Sequence, residues 1–368
     1  VIAKALENNK GIKAAALQVN KMQENIKSSF TFEKTNVYYS YDQNNLALNN
    51  LPLKVFGVQQ RFLFPTVYGV QKKANTSEFE KEKADYELQK NKLSLQVAKT
   101  YEQIVYWQHQ ERLYSYLDSL YQNFSKASDR RFELGETNYL EKITAQSKYR
   151  QIKTKLTQIN FEKKAQYESL QALVQSDEKI SILEKELVPI PTLDTTSNKA
   201  IHTAYLESIS KMYKSQISLQ KQHWLPDLNL EYFQGRNNGL SQSLYGFQVG
   251  IAVPILFSGN VSKTKVAQLE SQSWEEQKQN QEQKMTQFIR QQQNEIAKYQ
   301  ESINYYNATG KKLSEEIIKV ANSSYKNGEI DFFQYIQSLE NAVAIKIEYV
   351  EAVLQFNSNQ LELHYLNF

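Results

Sequence analysis

The chain has 368 residues, with 44 Lys and Arg against 40 Asp and Glu, and no cysteine. A net charge of +4 spread over that length is no electrostatic footprint for nucleic acid, and the lack of cysteine excludes disulfide frameworks, Cys-based zinc sites and cysteine nucleophiles. Mean hydropathy is −0.63 and no run of 18 apolar residues occurs, which excludes a transmembrane helix and on its own describes a soluble, highly helical protein.

Only 11 glycines and 6 prolines punctuate the sequence, where average usage gives roughly 40 such breakers. Helix interiors exclude both residues, so long uninterrupted helices are expected. Residues 1–29 read as the first, with Ala5, Ile12, Ala16, Val19 and Ile26 at helical spacing and no signal-peptide pattern in Val1-Ile2-Ala3-Lys4-Ala5-Leu6. Residues 30–65 switch to period-2 alternation. Val37, Tyr39 and Tyr41 alternate with Tyr38, Ser40 and Asp42; after Asn44-Asn45 and Asn49-Asn50-Leu51-Pro52, a second run places Phe56, Val58 and Phe62 on one face. Aromatic-rich alternation around Asn and Pro predicts a hairpin with strands at about 36–42 and 53–63.

A helix over 67–131 follows, with Leu113, Leu117, Leu120 and Phe124 forming a narrow stripe. Gly135 ends it, Asn138 opens the next, and that helix returns to about Gln175. After a mixed linker over 176–199 the plan recurs. A helix over 200–223 leads to strands at about 227–234 and 244–254, then to a helix over 260–327 closed by Gly328, and to a last helix. The clearest strand carries Tyr245, Phe247, Val249, Ile251 and Val253 on one face and Gly246, Gln248, Gly250 and Ala252 on the other.

The two halves align at one offset of 193 residues: Glu102 matches Glu295, Tyr106 matches Tyr299, Leu120 matches Leu313, and Gly135-Glu136 matches Gly328-Glu329. A duplicated helix–hairpin–helix–turn–helix unit explains a constant offset across so long a helix. The expected fold is therefore mostly α with a small β part: a first repeat over 1–175, a linker over 176–199 and a second repeat over 200–368. The strands alone fit either a soluble sandwich or a share of a transmembrane barrel, whose strands run to about 9–11 residues with aromatics near their ends. Tyr38, Tyr41, Tyr232 and Tyr245 are candidates for such aromatic girdles. Four strands are too few to close a barrel in one chain.

On these residues the chain resembles the TolC-type outer-membrane efflux channel family. The resemblance rests on Ala5-Leu6-Glu7-Asn8-Asn9, on the strand-to-helix turns Phe62-Leu63-Phe64-Pro65 and Val253-Pro254-Ile255-Leu256-Phe257-Ser258-Gly259, and on the paired tips Arg131-Phe132-Glu133-Leu134-Gly135 and Ser324-Tyr325-Lys326-Asn327-Gly328. It implies long helical hairpins in an α-barrel and a homotrimer in which each chain adds four strands to one barrel facing outer-membrane lipid through Tyr245, Phe247, Val249, Ile251 and Val253. The helices would extend into the periplasm. It implies a passive exit duct for small solutes, with no enzymatic activity, no cofactor and no nucleic acid, working with a periplasmic adaptor (membrane fusion protein) and an inner-membrane RND-type pump. Phe64-Pro65-Thr66-Val67-Tyr68 and Gly135-Glu136-Thr137-Asn138-Tyr139-Leu140-Glu141-Lys142 are similar to members that serve heavy-metal pumps.

The tips Gly135, Thr137, Tyr139, Gly328, Ile330 and Phe332 would receive the adaptor, with Ile330 and Phe332 expected to be exposed. Some members close the tip with two aspartates on the last helix. Here those positions are Gln334 and Gln337, with Glu141 and Thr144 as first-repeat equivalents, and all four are gate candidates. His109, His202, His223 and His364 fall at no metal-ligand spacing. The alternative reading is a soluble periplasmic coiled-coil scaffold or adaptor. An adaptor would need a glycine-richer domain of many short strands.

Overall fold

A computed structural model of the chain describes residues 1–43, 50–184, 186–255 and 257–366. Asn44, Asn45, Asn49 and Leu256, used above as turn signals, lie outside them. In chain order the elements are α1 (Ile2–Asn8), α2 (Lys10–Lys27), β1 (Asn36–Asp42), β2 (Leu53–Phe62), α3 (Pro65–Glu133), α4 (Tyr139–Val174), α5 (Thr196–Gln222), β3 (Asp227–Asn237), β4 (Leu244–Ala252), α6 (Ser258–Tyr305), a single π-helical turn (Tyr306–Gly310), α7 (Lys311–Lys326) and α8 (Phe332–Tyr365). At 69 residues, α3 is about 100 Å long.

The opening helix is two helices. Asn9 leaves the helical region (ψ 123°) and its side-chain oxygen accepts from the amides of Gly11 and Ile12 at 2.9 and 3.3 Å, so it ends α1 and caps α2. An asparagine that offers its own acceptor to the backbone competes with a continuing helix, which apolar periodicity alone does not register.

The four strands make one antiparallel sheet in the order β1-β2-β3-β4. The β2–β3 pairing joins the two repeats. Because side chains alternate across a strand, the register sorts them into two faces. Val37, Val58, Tyr232 and Phe247 stand in one row, and Tyr39, Phe56, Gln234 and Tyr245 in the next of the same face. The opposite face carries the row Asn36, Gln59, Glu231 and Gln248, and the row Tyr38, Gly57, Phe233 and Gly246. In that last row each aromatic ring lies over the glycine across from it. A Cβ on Gly57 would come within 2.3 Å of the Tyr38 ring, and one on Gly246 within 2.6 Å of Phe233. The glycines are where rings need to lie flat on the backbone.

The chain forms two compact units: Val1–Lys13 with Leu88–Ala200 and Gln283–Phe368, and Ala14–Glu87 with Ile201–Glu282. Each draws on both repeats. The second unit contains the sheet. In the first, a core of Leu117, Tyr121, Ala145, Ala321, Phe332, Tyr335, Ile336, Leu339 and Val343 draws together α3, α4, α7 and α8. The inter-repeat linker is tied into the same unit by Asn357, which is fully buried on α8. Its amide oxygen accepts from Ile190 N at 2.9 Å, and its Nδ2 donates to Val188 O at 2.9 Å and to Glu102 Oε2 on α3 at 2.7 Å. No described helix is long and apolar enough to cross a membrane.

Candidate functional site

Two regions carry the candidate residues. The first is the sheet's apolar face. Tyr245, Phe247, Val249 and Ile251 point to that side of β4 and are all exposed, Phe247 at 80%. Val253 falls one residue past β4 and is exposed as well. Val37, Tyr39, Phe56, Leu230 and Tyr232 extend the same surface across the other three strands. Contiguous exposed apolar patches on soluble monomers rarely exceed a few hundred Å², and larger ones mark protein or membrane contact. Tyr38 belongs to the other face. It packs on Gly57, and its hydroxyl donates to Glu231. Its place among the girdle tyrosines is therefore corrected: Tyr38 and Tyr41 have opposite parity on β1 and cannot share a face.

The second region is the pair of tips. Gly135 and Gly328 both have left-handed backbone, with φ of 75° and 74°. At the first, Gly135 N donates to Phe132 O at 3.0 Å and Glu136 N to Arg131 O at 2.8 Å; at the second, Gly328 N donates to Tyr325 O at 3.2 Å and Glu329 N to Ser324 O at 2.8 Å. These are the paired bonds of a Schellman stop, and glycine fills the one position where a Cβ would be costly. The next helix then starts on a side-chain cap. Asn138 Oδ1 accepts from Glu141 N at 2.9 Å, and Asp331 Oδ1 from Gln334 N at 2.8 Å.

The side chains differ. At the first tip Leu134, Tyr139 and Leu140 are exposed. Glu141 is nearly buried and accepts from Arg131 Nη1 at 3.1 Å and from the Thr137 hydroxyl at 2.6 Å. Arg131 Nη1 also donates to the Tyr325 hydroxyl at 3.1 Å, which ties the first tip to the second. Lys142 Nζ lies 4.9 Å above the Phe132 ring. At the second tip Phe332 is only 3% exposed and Ile330 packs against the same core. The expected exposure of these two is thereby corrected. Phe332 faces Phe124 on α3 at 6.3 Å between ring centroids, and Phe124 in turn meets Tyr335 at 4.8 Å. The exposed apolar residue there is Phe333. Burial pushes the Tyr335 hydroxyl up to about 12 and also raises that of Tyr325, against the pull of Arg131. Glu329 is held below the usual carboxylate range by donors from Ser324 and Asn327.

Of the gate candidates, Glu141 is the one drawn into a polar cluster. Gln334 spends its side chain on the α8 cap, accepting from Asp331 N at 3.1 Å, while Gln337 donates to Asn341 at 3.0 Å and is exposed; Thr144 is half-buried on α4. Arg131 and Tyr325 were not among the candidates, although both lie in the paired motifs 131–135 and 324–328. Aligned positions cannot show that a residue of one repeat bonds to the other. Among the described residues no group of three His, Cys, Asp or Glu could hold a metal ion. His109 accepts from Leu187 N at 3.4 Å and His364 sits 2.6 Å from Asp194 O, so both are bound to backbone.

Residues 210–366 match the family model described as outer membrane efflux protein. Comparison with curated proteins finds no match. Among solved structures the whole chain is similar to a membrane protein from Pseudomonas aeruginosa (TM-score 0.83, 13% identity, 99% of this chain and 91% of the other). It is also similar to the CmeC outer membrane channel of Campylobacter jejuni (0.79, 14%, 99% and 84%) and the open state of the MtrE outer membrane channel of Neisseria gonorrhoeae (0.74, 15%, 99% and 87%). At these identities the likeness carries the fold, and it extends the efflux-channel fold from the matched segment over both repeats. The family is one of transport in the outer membrane, and the chain's efflux-channel fold and exposed sheet face agree with that location.

Proposed function

We propose that the chain is one subunit of a trimeric outer-membrane exit duct through which small solutes leave passively. The observation that carries this is the sheet. It has a largely apolar face, a polar and glycine-rich opposite face, and two edge strands, β1 and β4, whose outer edges pair with no strand of the described residues. Joining β4 of one copy to β1 of the next closes the edges, turns the apolar face to lipid and the polar face to a water-filled interior. Three chains with four strands each give a barrel of ordinary size.

The tips form the adaptor- and pump-facing end of the duct. Leu134, Tyr139 and Leu140 supply an exposed apolar surface of the kind that a partner's helical hairpin covers, beside the turn glycines Gly135 and Gly328. Thr137 stands beside them, bonded to Glu141, and Ile330 and Phe332 support the surface from beneath. The Arg131–Glu141–Tyr325 tie is the polar element whose release opens this end, and Gln334, Gln337 and Thr144 line the helices beside it. A periplasmic adaptor and an RND-type pump are the partners that the likeness to efflux channels gives such a passive duct. Heavy-metal cargo rests on the likeness of residues 64–68 and 135–142 alone, and a passive duct leaves cargo choice to the pump.

The test is purification in detergent followed by planar-bilayer recording. A trimer that conducts, with a higher open fraction after Arg131→Ala, is the expected result. A chain that stays in solution as a monomer without detergent would instead be a scaffold.

A further inference from the structure

The apolar face of the sheet ends in a pair of cations. Of the described strand residues that share this face with Phe247, two are charged, Lys54 of β2 and Arg236 of β3. They are direct partners in the β2–β3 register, and Tyr41 of β1 completes their row. The row lies at the end of the sheet away from the helices, since β2 leads into α3 and α5 into β3 at the other end, where Phe62 pairs with Leu228. From Phe62 to Lys54 the strand rises about 27 Å, which is about 20 Å of membrane once the strands tilt as barrel strands do. An outward-facing apolar band is about 25 Å tall, so the cations stand at its outer margin.

Like charges directly opposite each other on a sheet repel, and the chain supplies this pair with no counter-charge. Arg236 is exposed and Lys54 half-buried, and neither cationic head has a hydrogen-bond or ion-pair partner among the described residues. The segments that join the strands at this end, 43–52 and 238–243, contain no Asp or Glu. Asp42 is the nearest carboxylate in sequence to this row, but its parity on β1 puts it on the opposite face, and it has a partner of its own. A second copy of the chain joins at β1 or β4, whereas Lys54 and Arg236 stand on the two central strands. The Tyr41 hydroxyl accepts from Gln43 Nε2 at 3.4 Å, which leaves its proton to donate.

We infer that Lys54, Arg236 and Tyr41 form a site for the phosphate group of a lipid in the outer leaflet, one site per subunit. The inference rests on the duct reading above, in which this face meets lipid and the helix-free end faces outward. Arginine presents a planar fork to phosphate oxygens and lysine a point charge. The row beneath carries Tyr39, Phe56 and Tyr245 on the same face, a surface for acyl chains. A phosphorylated lipid therefore meets both the cations and the apolar rows, whereas free phosphate meets the cations alone.

Native mass spectrometry of the whole chain, purified in detergent and titrated with an acylated disaccharide bearing two phosphate monoesters, tests the site. The unaltered trimer is expected to retain up to three such lipids. Retention should weaken about five-fold in Lys54→Gln and in Arg236→Gln, and about twenty-fold in the double variant. The dephosphorylated lipid with the same acyl chains should be held equally by the unaltered chain and the double variant. Equal retention of the phosphorylated lipid by those two overturns the inference. An equal loss in Lys214→Gln, on α5, also overturns it, because bulk charge would then explain the effect. Displacement of the lipid by an equal concentration of inorganic phosphate overturns the lipid assignment and leaves a plain anion site. If the double variant does not assemble, the single variants decide by the same criteria. A trimer that conducts in a planar bilayer but shows no loss of lipid in the variants removes this site alone. A chain that stays monomeric in solution without detergent removes the duct reading and the site with it.

Discussion

The two tips share a backbone and differ in what they do with it. Both end a helix on a left-handed glycine, both close with the same pair of backbone bonds, and both restart on an Asn or Asp cap. Yet the first leaves Leu134, Tyr139 and Leu140 outside and buries a carboxylate under an arginine, whereas the second sends Phe332 into a four-helix core and leaves Phe333 as its exposed apolar side chain. In both tips the turn is constrained by backbone sterics, which tolerate almost no change. The side chains around it are free to diverge, one tip packing into the core and the other leaving Leu134, Tyr139 and Leu140 exposed.

The largest expected contrast follows from that division. Phe332→Ala should destabilise the protein by about 3–5 kcal/mol, because it empties a packed aromatic site. Tyr139→Ala, at a side chain that is 62% exposed, should stay within about 0.5 kcal/mol of the parent while weakening capture of the adaptor. Thermal melting and adaptor pull-down read the two effects, and equal melting losses would erase the distinction between the tips. The glycines should behave alike. Nothing lies within 4 Å of a Cβ at Gly135 or Gly328, so Gly→Ala at either meets only the left-handed backbone penalty of roughly 1–2 kcal/mol. Unequal melting shifts would show that the tips differ in backbone as well. Smaller again are the caps: Asn138→Ala and Asp331→Ala should each cost about 1 kcal/mol, with Asp331 the more costly because Gln334 completes a reciprocal box there.

The last contrast lies further up the same helices, at Glu102 and its counterpart Glu295. Glu295 pairs with Lys298 one turn along, while Glu102 receives the Asn357 amide in a half-buried site on the linker side. Burial raises the Glu102 carboxyl above its ordinary value of 4.5, and the Asn357 bond pulls the other way. The folded chain therefore holds this proton where the unfolded chain releases it. Its contribution to stability is complete below pH 4.5 and is lost as pH rises through the raised value. Glu102→Gln keeps an acceptor for Asn357 and removes the ionisation, so its melting temperature should fall less than the parent's as pH climbs through that window.

Much of this was legible beforehand for definite reasons. Period-2 alternation placed Tyr245 to Ile251 on one face of a strand, and left-handed turns need glycine, so Gly135 and Gly328 marked the tips. Phe332 was misread because one helix's sequence does not say which helix lies against it. The α3 residue it meets, Phe124, is about 200 positions away in the chain. Tyr38 was misassigned although its parity on β1 already excluded the outer face. The π-turn is only partly legible, because equal residue counts hide unequal winding and Gly310 inside a long helix reads equally as a bend or as a tolerated weak point. The Arg131–Tyr325 bond joins two repeats that an alignment lays side by side without relating them in space.

The pairing of β2 with β3 sets a timetable. Phe62 and Leu228 are partners, so the sheet cannot be completed until more than 160 further residues have left the ribosome. A two-stranded hairpin is marginal alone, and an unpaired apolar edge recruits whatever strand is near. The first hairpin must therefore be kept apart from other strands until its own second repeat arrives, and only then is there a sheet to deliver to the membrane.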